Sequence, residues 1–312
     1  METIDQEVNA KAIDFMERAK KADKPFFLWW NSTRMHIFTH LKKESVDKTG
    51  LGIYADGMVE HDGHVGEVLA KLKELGLEDN TIIIMYSSDN GAEAFTWPDG
   101  GTTMFRGEKN TQWEGGYRVP TMIKWPGVIK PGTVINDIGA HEDMMTTLLA
   151  AAGDKTVKED LLKGRKVGNT TYKVHLEGYN LGPALKGEGE WPRKEFIYWT
   201  DDGSVAALRY NNVKVTLLKQ NAHGLHVWQQ PFEELRAPML TNLRMDPFER
   251  AEYEGMDYNR WYMKHMFLIA PAGAYVGQWL QSFREFPPHQ KPGSFNLDRV
   301  MEAVSKPQGG GN

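Results

Sequence analysis

Three segments of the chain carry side chains that could act on a charged ester. Asp89 and Asn90 follow an apolar run and precede Gly91, so a buried strand is predicted to deliver a carboxylate and an amide to a tight loop. Lys109 follows on the next segment, and His36 follows an earlier apolar run. Carboxylate and amide oxygens are suitable ligands for Ca²⁺ or Mg²⁺. A lysine and an imidazole can stabilise an oxyanion or protonate a leaving group, so the set suits hydrolysis of sulfate or phosphate esters.

A strand–helix–strand unit is predicted to position these side chains. The apolar run at residues 25–31 indicates a strand buried on both faces of a parallel sheet. Residues 56–75 have helical periodicity and are followed by Gly76, and residues 81–87 form the second strand. A right-handed crossover would bring the polar ends of both strands to the same edge of the sheet.

The remaining pattern predicts an α/β region followed by a smaller antiparallel sheet. Three parts are expected: an α/β domain at residues 1–153, a loop-rich connection at 154–194, and a C-terminal subdomain at 195–312. Three further helices are predicted: one from a Thr3–Gln6 capping box to Lys21, one at residues 143–152, and a long one at 259–286 that is kinked near Pro271. Strands are predicted at residues 121–125, 134–138, 196–200, 205–210 and 213–218, and a strand followed by a turn is predicted at 240–254.

Composition excludes several classes of function. The 312 residues are 40% hydrophobic and 25% charged, with a net charge of −5, so neither nucleic acid nor a membrane is an expected partner. The chain has 0 Cys, which excludes disulfides, thiolate metal sites and cysteine nucleophiles. The first ten residues have no basic and apolar leader pattern, so no signal peptide is predicted and the chain as it stands would be cytoplasmic.

Several segments together resemble the sulfatase family of the alkaline-phosphatase superfamily. The matching segments are PFFLWWNSTRMH, MVEHDGHVGEVLAKLKELGLEDNT, SSDNG, GEKNTQWEGGYRVP and LTNLRMDPFERAEY, and the likeness runs over about residues 4–285. The resemblance implies that His36 is the active-site histidine and that Lys109 contacts the sulfate. It also implies that Asp89 and Asn90 bind a divalent metal ion, Ca²⁺ or Mg²⁺, with Zn²⁺ or Mn²⁺ as alternatives.

The resemblance also implies a fold and an expected difference from the family. It implies an alkaline-phosphatase-like mixed sheet flanked by helices, with a small C-terminal antiparallel sheet and a long helix. The family nucleophile is a formylglycine made from Cys, or sometimes Ser, in a C/S-x-P-x-R motif. This chain has no Cys, and its Ser305-x-Pro307 lacks the arginine. The chain is therefore expected to be an N-terminally truncated sulfatase without formylglycine.

Three hypotheses of function follow. The first is a promiscuous hydrolase of small sulfate or phosphate esters that uses metal-assisted attack by water. The second is an inert sulfatase fragment or anion-binding module. The third is a homo-oligomer in which a second copy completes the site, and self-association is expected because lost sheet strands would expose an apolar surface.

Other polar residues have both a functional and a structural interpretation. His61 and His64 share a helix face and could bind a metal, but contact with solvent or with the sheet is the favoured interpretation. His223 and His226 could line a substrate groove or an ordinary loop. Arg118 is interpreted as a brace for the glycine loop, paired with Glu114, rather than as a substrate contact.

Overall fold

The computed structural model describes residues 1–87, 90–91, 93–100 and 103–288. Its helices are α1 Ile4–Lys21, α2 Ile53–Glu74, α3 Glu114–Tyr117, α4 Glu142–Ala151, α5 Val157–Lys163, α6 Gly182–Leu185, α7 Ala251–Glu254, α8 Tyr258–His265, α9 Ile269–Leu280 and α10 Ser282–Glu285. Its strands are β1 Ile83–Tyr86, β2 Thr121–Lys124, β3 Arg165–Val167, β4 Thr170–Tyr172, β5 Glu195–Trp199, β6 Val205–Tyr210, β7 Val213–Lys219 and β8 Glu233–Asn242. Within these residues, no helix is long and apolar enough to cross a membrane.

The chain divides into two compact units, and each unit is formed by two separate segments. The first unit contains Met1–Met104 and Tyr117–Val134, and the second contains Phe105–Gly116 and Ile135–Asn312. Helices and sheets occur in both, which confirms the predicted α/β class. The three-part division predicted from composition stays a prediction.

The first unit is built on two helices and a two-stranded sheet. Helix α1 packs against α2, and β1 pairs with β2 in antiparallel register from Ile83 opposite Lys124 to Tyr86 opposite Thr121. Both helices were predicted, and α2 ends before Gly76, which has a positive φ of 66°. The predicted capping box is wrong, because the Thr3 hydroxyl donates to Oε1 of Glu7 at 2.8 Å instead of capping the backbone.

The apolar run at residues 25–31 does not form the predicted strand. Its residues alternate between exposed and half-buried, and Phe27 and Trp29 are 67% and 69% exposed. A strand needs a neighbour that supplies N–H and C=O partners, and β1 pairs with β2 rather than with this run. The described residues therefore contain no parallel strand–helix–strand unit, and the strand predicted at residues 134–138 is also irregular.

The second unit is built on a four-stranded antiparallel sheet with strand order β5-β6-β7-β8. The strands predicted at residues 205–210 and 213–218 leave two residues for a hairpin turn between β6 and β7, and Asn211 there adopts a positive φ of 51°. Ile197 and Leu208 from the sheet pack against Val276 of α9 to form a buried core cluster. Strand β7 lies between β6 and β8, so both of its edges are paired, and most of its side chains are buried.

The long C-terminal helix is broken at a different place from the predicted one. Helix α8 ends at His265, the segment Met266–Leu268 is a 3₁₀ turn, and α9 begins at Ile269. Pro271 therefore lies in the first turn of α9, where its missing N–H costs no helical hydrogen bond. The helix breaks before the proline because a proline is tolerated in a first turn but not in a helix interior.

Candidate functional site

The loop that carries His36 is held in place by Arg34. The guanidinium of Arg34 lies between two carboxylates, 2.6 Å from Oδ2 of Asp5 and 2.8 Å from Oε1 of Glu60. Its Nη2 also donates to the backbone carbonyl of His40 at 3.0 Å. The Arg34 side chain is 1% exposed, so both ion pairs are shielded from solvent. Arg34 thus ties this loop to α1 and to α2.

Asp5, in the first turn of α1, organises the start of the same loop. Its Oδ1 accepts the backbone N–H of Thr33 at 2.6 Å, and its Oδ2 accepts the Thr33 hydroxyl at 2.7 Å. Burial alone would raise the pKa of Asp5, but these hydrogen bonds and the charge of Arg34 outweigh it and the pKa is lowered. The pKa of Glu60 is also lowered, because hydrogen bonds from Ser45 and Arg34 outweigh its burial. Both carboxylates are therefore ionised at neutral pH.

His36 itself lies at the surface of this braced loop. Its backbone N–H donates to the carbonyl of Thr33 at 3.0 Å, and its own carbonyl accepts the Thr39 hydroxyl at 2.7 Å. The residue is exposed. An imidazole on a fixed backbone with an accessible ring can exchange a proton with a substrate.

The predicted metal ligand Asn90 has an amide oxygen of the type that binds cations, while the predicted ligand Asp89 lies outside the described residues. The amide nitrogen of Asn90 donates to the carbonyl of Gly91 at 2.7 Å, and the Oδ1 atom is an acceptor. An amide oxygen and a carboxylate fit a hard cation such as Ca²⁺ or Mg²⁺. Within the described part of the chain, no three His, Asp or Glu side chains are placed to hold a metal ion. Asn90 and Asp89 therefore fit a metal by donor type, without a complete ligand set among the described residues.

His61, on α2, packs against an aromatic ring, and His64 on the same helix is buried. The His61 ring stacks on Trp30, with 5.8 Å between the ring centroids and 10° between the ring planes. Burial lowers the pKa of His61, so its imidazole is neutral at pH 7 and packs as a flat ring. A structural role was the interpretation favoured from the sequence, but the partner of His61 is a ring of the irregular segment 25–31 and not a sheet.

The segment Phe105–Gly116, called the lysine loop below, closes on itself through two glycines. A Cβ on Gly115 would lie 2.5 Å from the carbonyl oxygen of Gly107, and a Cβ on Gly116 would lie 2.6 Å from that of Glu108. Real Cβ atoms do not approach backbone oxygens this closely, so no side chain fits at either position. The two glycines of the sequence are required by the path of the loop.

Lys109 is presented by a part of the lysine loop that is anchored on both sides. Oε1 of the buried Glu108 accepts the first N–H of the segment Gly224–Trp228 at 2.8 Å. Nδ2 of Asn110 donates to a carbonyl of the same segment at 2.8 Å. The Lys109 ammonium lies 5.7 Å from the ring centroid of Trp228, within the range of a cation–π contact. The position of this lysine is therefore set by both of its neighbours.

A buried charge cluster holds the C-terminal end of the lysine loop. The ammonium of Lys214, on β7, lies 3.1 Å from Oε1 of Glu114 and 2.9 Å from Oε1 of Glu249. The same ammonium donates to the carbonyl of Gln112 at 2.6 Å. The Tyr198 hydroxyl donates to Oε1 of Glu114 at 2.5 Å. Burial removes these groups from water, so each charge depends on its protein partners.

Burial also shifts the pKa values within this cluster. Burial raises the pKa of Glu249, and the positive charge of Lys214 opposes that rise. The pKa of Tyr198 is raised well above its ordinary value by burial and by the Glu114 carboxylate. A second cation reaches the cluster, because Nη1 of Arg209 lies 3.3 Å from Oε2 of Glu114. Tyr198 consequently stays neutral and can act as a donor over the whole physiological range.

The predicted site residues fall in both units. His36 and Asn90 belong to the first unit and Lys109 belongs to the second. Their assignment to one catalytic site stays a prediction from the sequence.

The two histidines predicted to line either a groove or an ordinary loop lie in the second unit. His226 places its Nδ1 3.1 Å from Oε1 of Gln229, and His223 lines a cavity in the second unit.

The sequence prediction did not identify the residues that brace these loops. Arg34 and Asp5 were not named as partners, and neither were Lys214 and Glu249. Of these four residues, only Lys214 has an unusual sequence context, because it is a charged residue inside an apolar strand of a hairpin. Charged residues in such strands usually face solvent, so the sequence alone favoured an exposed side chain.

The comparisons with known proteins point to one family. The Sulfatase family model matches residues 1–154. Human arylsulfatase A (Homo sapiens) is 32% identical over 258 residues, which are 79% of this chain and 48% of that protein. The N-acetylgalactosamine-6-sulfatase of Rattus norvegicus is 33% identical over 247 residues, which are 77% of this chain and 46% of that protein.

A solved structure shows the same relationship in three dimensions. The PsFucS1 sulfatase from Pseudoalteromonas sp. superposes with a TM-score of 0.78 at 26% identity, covering 93% of this chain and 55% of that one. The chain spans about half the length of these relatives. Sulfatases are hydrolases of sulfate esters, and they generally use a divalent metal ion. The chain belongs to the sulfatase family.

Proposed function

We propose that the chain hydrolyses small sulfate esters, or phosphate esters of similar charge, with water as the nucleophile. Lys109 binds the anionic oxygens of the ester while water attacks the sulfur or phosphorus and the bond to the leaving oxygen breaks. His36 protonates that leaving oxygen, and the attacking water releases its proton to solvent. Asp89 and Asn90 would hold a divalent cation, which supplies positive charge to the ester oxygens when it is bound. Water is assigned as the nucleophile because the chain contains no Cys and no Ser-x-Pro-x-Arg sequence.

The observation that carries this proposal is the double anchoring of Lys109. Glu108 and Asn110 both bind the segment Gly224–Trp228, so the backbone on either side of Lys109 is held before any substrate arrives. A cation fixed in advance stabilises developing negative charge without reorganisation during the reaction. Membership of the sulfatase family supports a sulfate ester as the ligand of that cation.

The experiment is a hydrolysis assay on the purified 312-residue chain. Aryl sulfates, aryl phosphate mono-, di- and triesters, and N-acetylgalactosamine 6-sulfate are compared in metal-stripped and metal-restored protein. The sugar sulfate is included because the rat relative is named for it. Turnover is expected to fall by roughly 10²–10³ in Lys109→Ala, as it does when a residue that stabilises transition-state charge is lost.

Matched variants separate a local effect from a general loss of folding. Lys166→Ala removes another lysine of the second unit, and His40→Ala removes an exposed histidine from the same loop as His36. Both should keep the parent turnover, whereas His36→Ala should lose most of it. Equal activity in Lys109→Ala and Lys166→Ala would show that Lys109 does not take part.

An anion-binding module is the second candidate function. It is favoured by one observation: the anchoring of Lys109 through Glu108 and Asn110 fixes a cation for an anion without requiring any further catalytic group. Titration calorimetry with inorganic sulfate would then show binding that Lys109→Ala weakens. Binding of sulfate without turnover of any ester would replace the hydrolase proposal with this one.

We also propose that the chain self-associates. Apolar side chains of the first unit are exposed, with Phe27 at 67%, Trp29 at 69% and Met122 at 59%. A second copy would cover them, and exposed apolar groups of this size commonly mark an interface. Light scattering coupled to gel filtration should give more than one copy per particle, and Trp29→Lys should shift it to the monomer. Specific activity that falls on dilution would show that the assembly completes the site.

A further inference from the structure

Residues 25–31 have the side-chain pattern of a strand but no strand partner. Their side chains alternate between exposed and half-buried, which is the period of an extended chain. Within the part of the chain that the structure describes, none of their N–H or C=O groups bonds to another backbone group. Backbone groups are strong hydrogen-bonding groups that are nearly always paired when they leave water. An unpaired extended segment is therefore a template for a strand of another chain.

One face of this segment is already packed on the helices of the first unit. The Phe26 ring lies edge-on to Phe15 of α1, with 6.0 Å between the ring centroids. The Trp30 ring stacks on His61 of α2 at 5.8 Å, and Leu28 between them is half-buried. These contacts hold the segment in position before any partner binds, which lowers the entropic cost of pairing.

The opposite face presents two aromatic rings to solvent. Phe27 and Trp29 are two residues apart, so they point to the same side, and they are 67% and 69% exposed. The indole N–H of Trp29 already donates to Oδ1 of Asn31 at 3.0 Å, so the ring can be covered without leaving its polar atom unpaired. Residues 25–31 contain no charged side chain, so covering them removes no charge from water.

A second copy of the same segment fits this one in the antiparallel direction. With Leu28 opposite Leu28 of the second copy, Phe27 lies opposite Trp29 and all seven residues are paired. Opposite residues lie on one face of a sheet, so the exposed rings of both copies meet, whereas a slip by one residue would set them against the inward face. Lys24 then lies opposite Ser32, so no like charges meet. The pairing is twofold symmetric and buries the same surface on both copies.

We infer that two copies of the chain pair through residues 25–31 as antiparallel strands, with Phe27 of each copy opposite Trp29 of the other. This pairing supplies backbone hydrogen bonds and covers the exposed rings in one step. The inference rests on the self-association proposed above and adds the segment, the direction and the register. Self-association through another surface would keep that proposal and remove this one, so the two can fail separately.

Single-cysteine variants test the register, because the chain has 0 Cys of its own. Directly opposite Cβ atoms of an antiparallel pair lie about 4.5–5.5 Å apart, near the range that a disulfide needs, whereas diagonal positions lie about 7–8 Å apart. An equal mixture of Phe27→Cys and Trp29→Cys should therefore form a covalent dimer in a glutathione redox buffer. Either variant alone should give at least about fivefold less, since its two sulfurs are diagonal.

The cysteine experiment is run where light scattering shows the variants to be dimeric. Val134→Cys is the matched control, because Val134 belongs to the first unit and is 81% exposed but lies outside the pairing segment. A mixture of Phe27→Cys and Val134→Cys should give no more covalent dimer than Phe27→Cys alone. The amount of dimer is measured on a gel without reductant.

Hydrogen exchange of the parent chain tests the backbone contacts without any substitution. An antiparallel strand bonds to one neighbour through alternate residues, so three of the six N–H groups of residues 25–31 should exchange at least about tenfold more slowly in the dimer than in the dilute monomer. The exposed turn at residues 168–169 should exchange equally in both. A dimer without the mixed disulfide, a dimer with unprotected residues 25–31, or a chain that stays monomeric at every concentration would overturn the inference.

Discussion

Lys214 and Glu114 form a salt bridge, with 3.1 Å between Nζ and Oε1, in which neither side chain is more than 1% exposed. The bridge joins the interior strand β7 to the glycine pair that closes the lysine loop. Oε1 of Glu249 lies 2.9 Å from the same ammonium, and its Oε2 accepts the backbone N–H of Glu114 at 2.7 Å. One buried cation therefore holds two carboxylates and the backbone of a loop in a single arrangement.

Removal of Lys214 should destabilise the second unit strongly. Lys214→Met leaves Glu114 and Glu249 buried without their shared cation, and a buried ion pair that loses one partner typically costs about 3–5 kcal/mol. Urea unfolding should show this loss as a lower midpoint with an unchanged slope. Lys166→Met, at an exposed position, should stay within about 0.5 kcal/mol of the parent. A loss below about 1 kcal/mol in Lys214→Met would mean that the cluster relaxes or admits water.

Local periodicity was enough to predict much of this fold. The apolar spacing of α1 and α2, the glycine after α2, and the two-residue gap between the strands β6 and β7 each depend on the conformation of a few adjacent residues. The glycine pair of the lysine loop was likewise visible in the sequence. Such features depend on residues that are adjacent in the sequence, so they can be predicted from one sequence without knowledge of the tertiary structure.

The features that the sequence did not reveal depend on contacts between distant residues. Arg34 forms ion pairs with Asp5 and Glu60, and Lys214 forms one with Glu249, and in each pair the two residues are far apart in the sequence. Residues 25–31 have the composition of a buried strand, but strand formation also needs a partner strand that composition does not supply. Charged pairs and strand partners are tertiary properties, and these were the places where the prediction was incomplete or wrong.

Gly115→Ala should distort the backbone of the lysine loop and lower the free energy of unfolding. Its new Cβ would lie 2.5 Å from the carbonyl oxygen of Gly107, so the backbone must move, at a cost of about 1–3 kcal/mol. Sulfate affinity, measured by calorimetry, should fall with the stability because Lys109 lies on the same loop. Gly277→Ala is the matched control: this helical position has open space, so alanine should stabilise by about 0.5–1 kcal/mol. Equal stability of the two variants would contradict the tight path of the loop.

Asp5→Asn should destabilise the first unit in a manner that depends on pH. The pKa of Asp5 is lowered in the folded protein, so its contribution is present above the unfolded value of about 3.9 and disappears as pH falls through the folded value. At pH 7 the loss should be about 3 kcal/mol, because Arg34 loses a buried partner. The difference between the variant and the parent should shrink progressively below about pH 4.

The control for Asp5 is Asp14→Asn. Asp14 pairs with Arg18 on the exposed side of α1, with side chains 57% and 64% exposed, so its loss should cost less than about 1 kcal/mol. Unfolding free energies measured at several pH values between 3 and 7 would separate the two carboxylates. A difference for Asp5→Asn that stays constant down to pH 3 would contradict the lowered pKa.

Tyr258 should make the stability of the second unit fall at alkaline pH. Burial raises its pKa to about 12, and its hydroxyl donates to the carbonyl of Leu240 at 2.9 Å. The unfolded tyrosine ionises near pH 10, so the stabilisation is complete below about pH 10 and is lost as pH rises towards 12. Tyr258→Phe should therefore be less stable than the parent at pH 8, and its unfolding free energy should fall less steeply between pH 10 and 12. Tyr172→Phe, at an exposed position, should leave that slope unchanged, and a parent-like slope in Tyr258→Phe would place the alkaline sensitivity elsewhere.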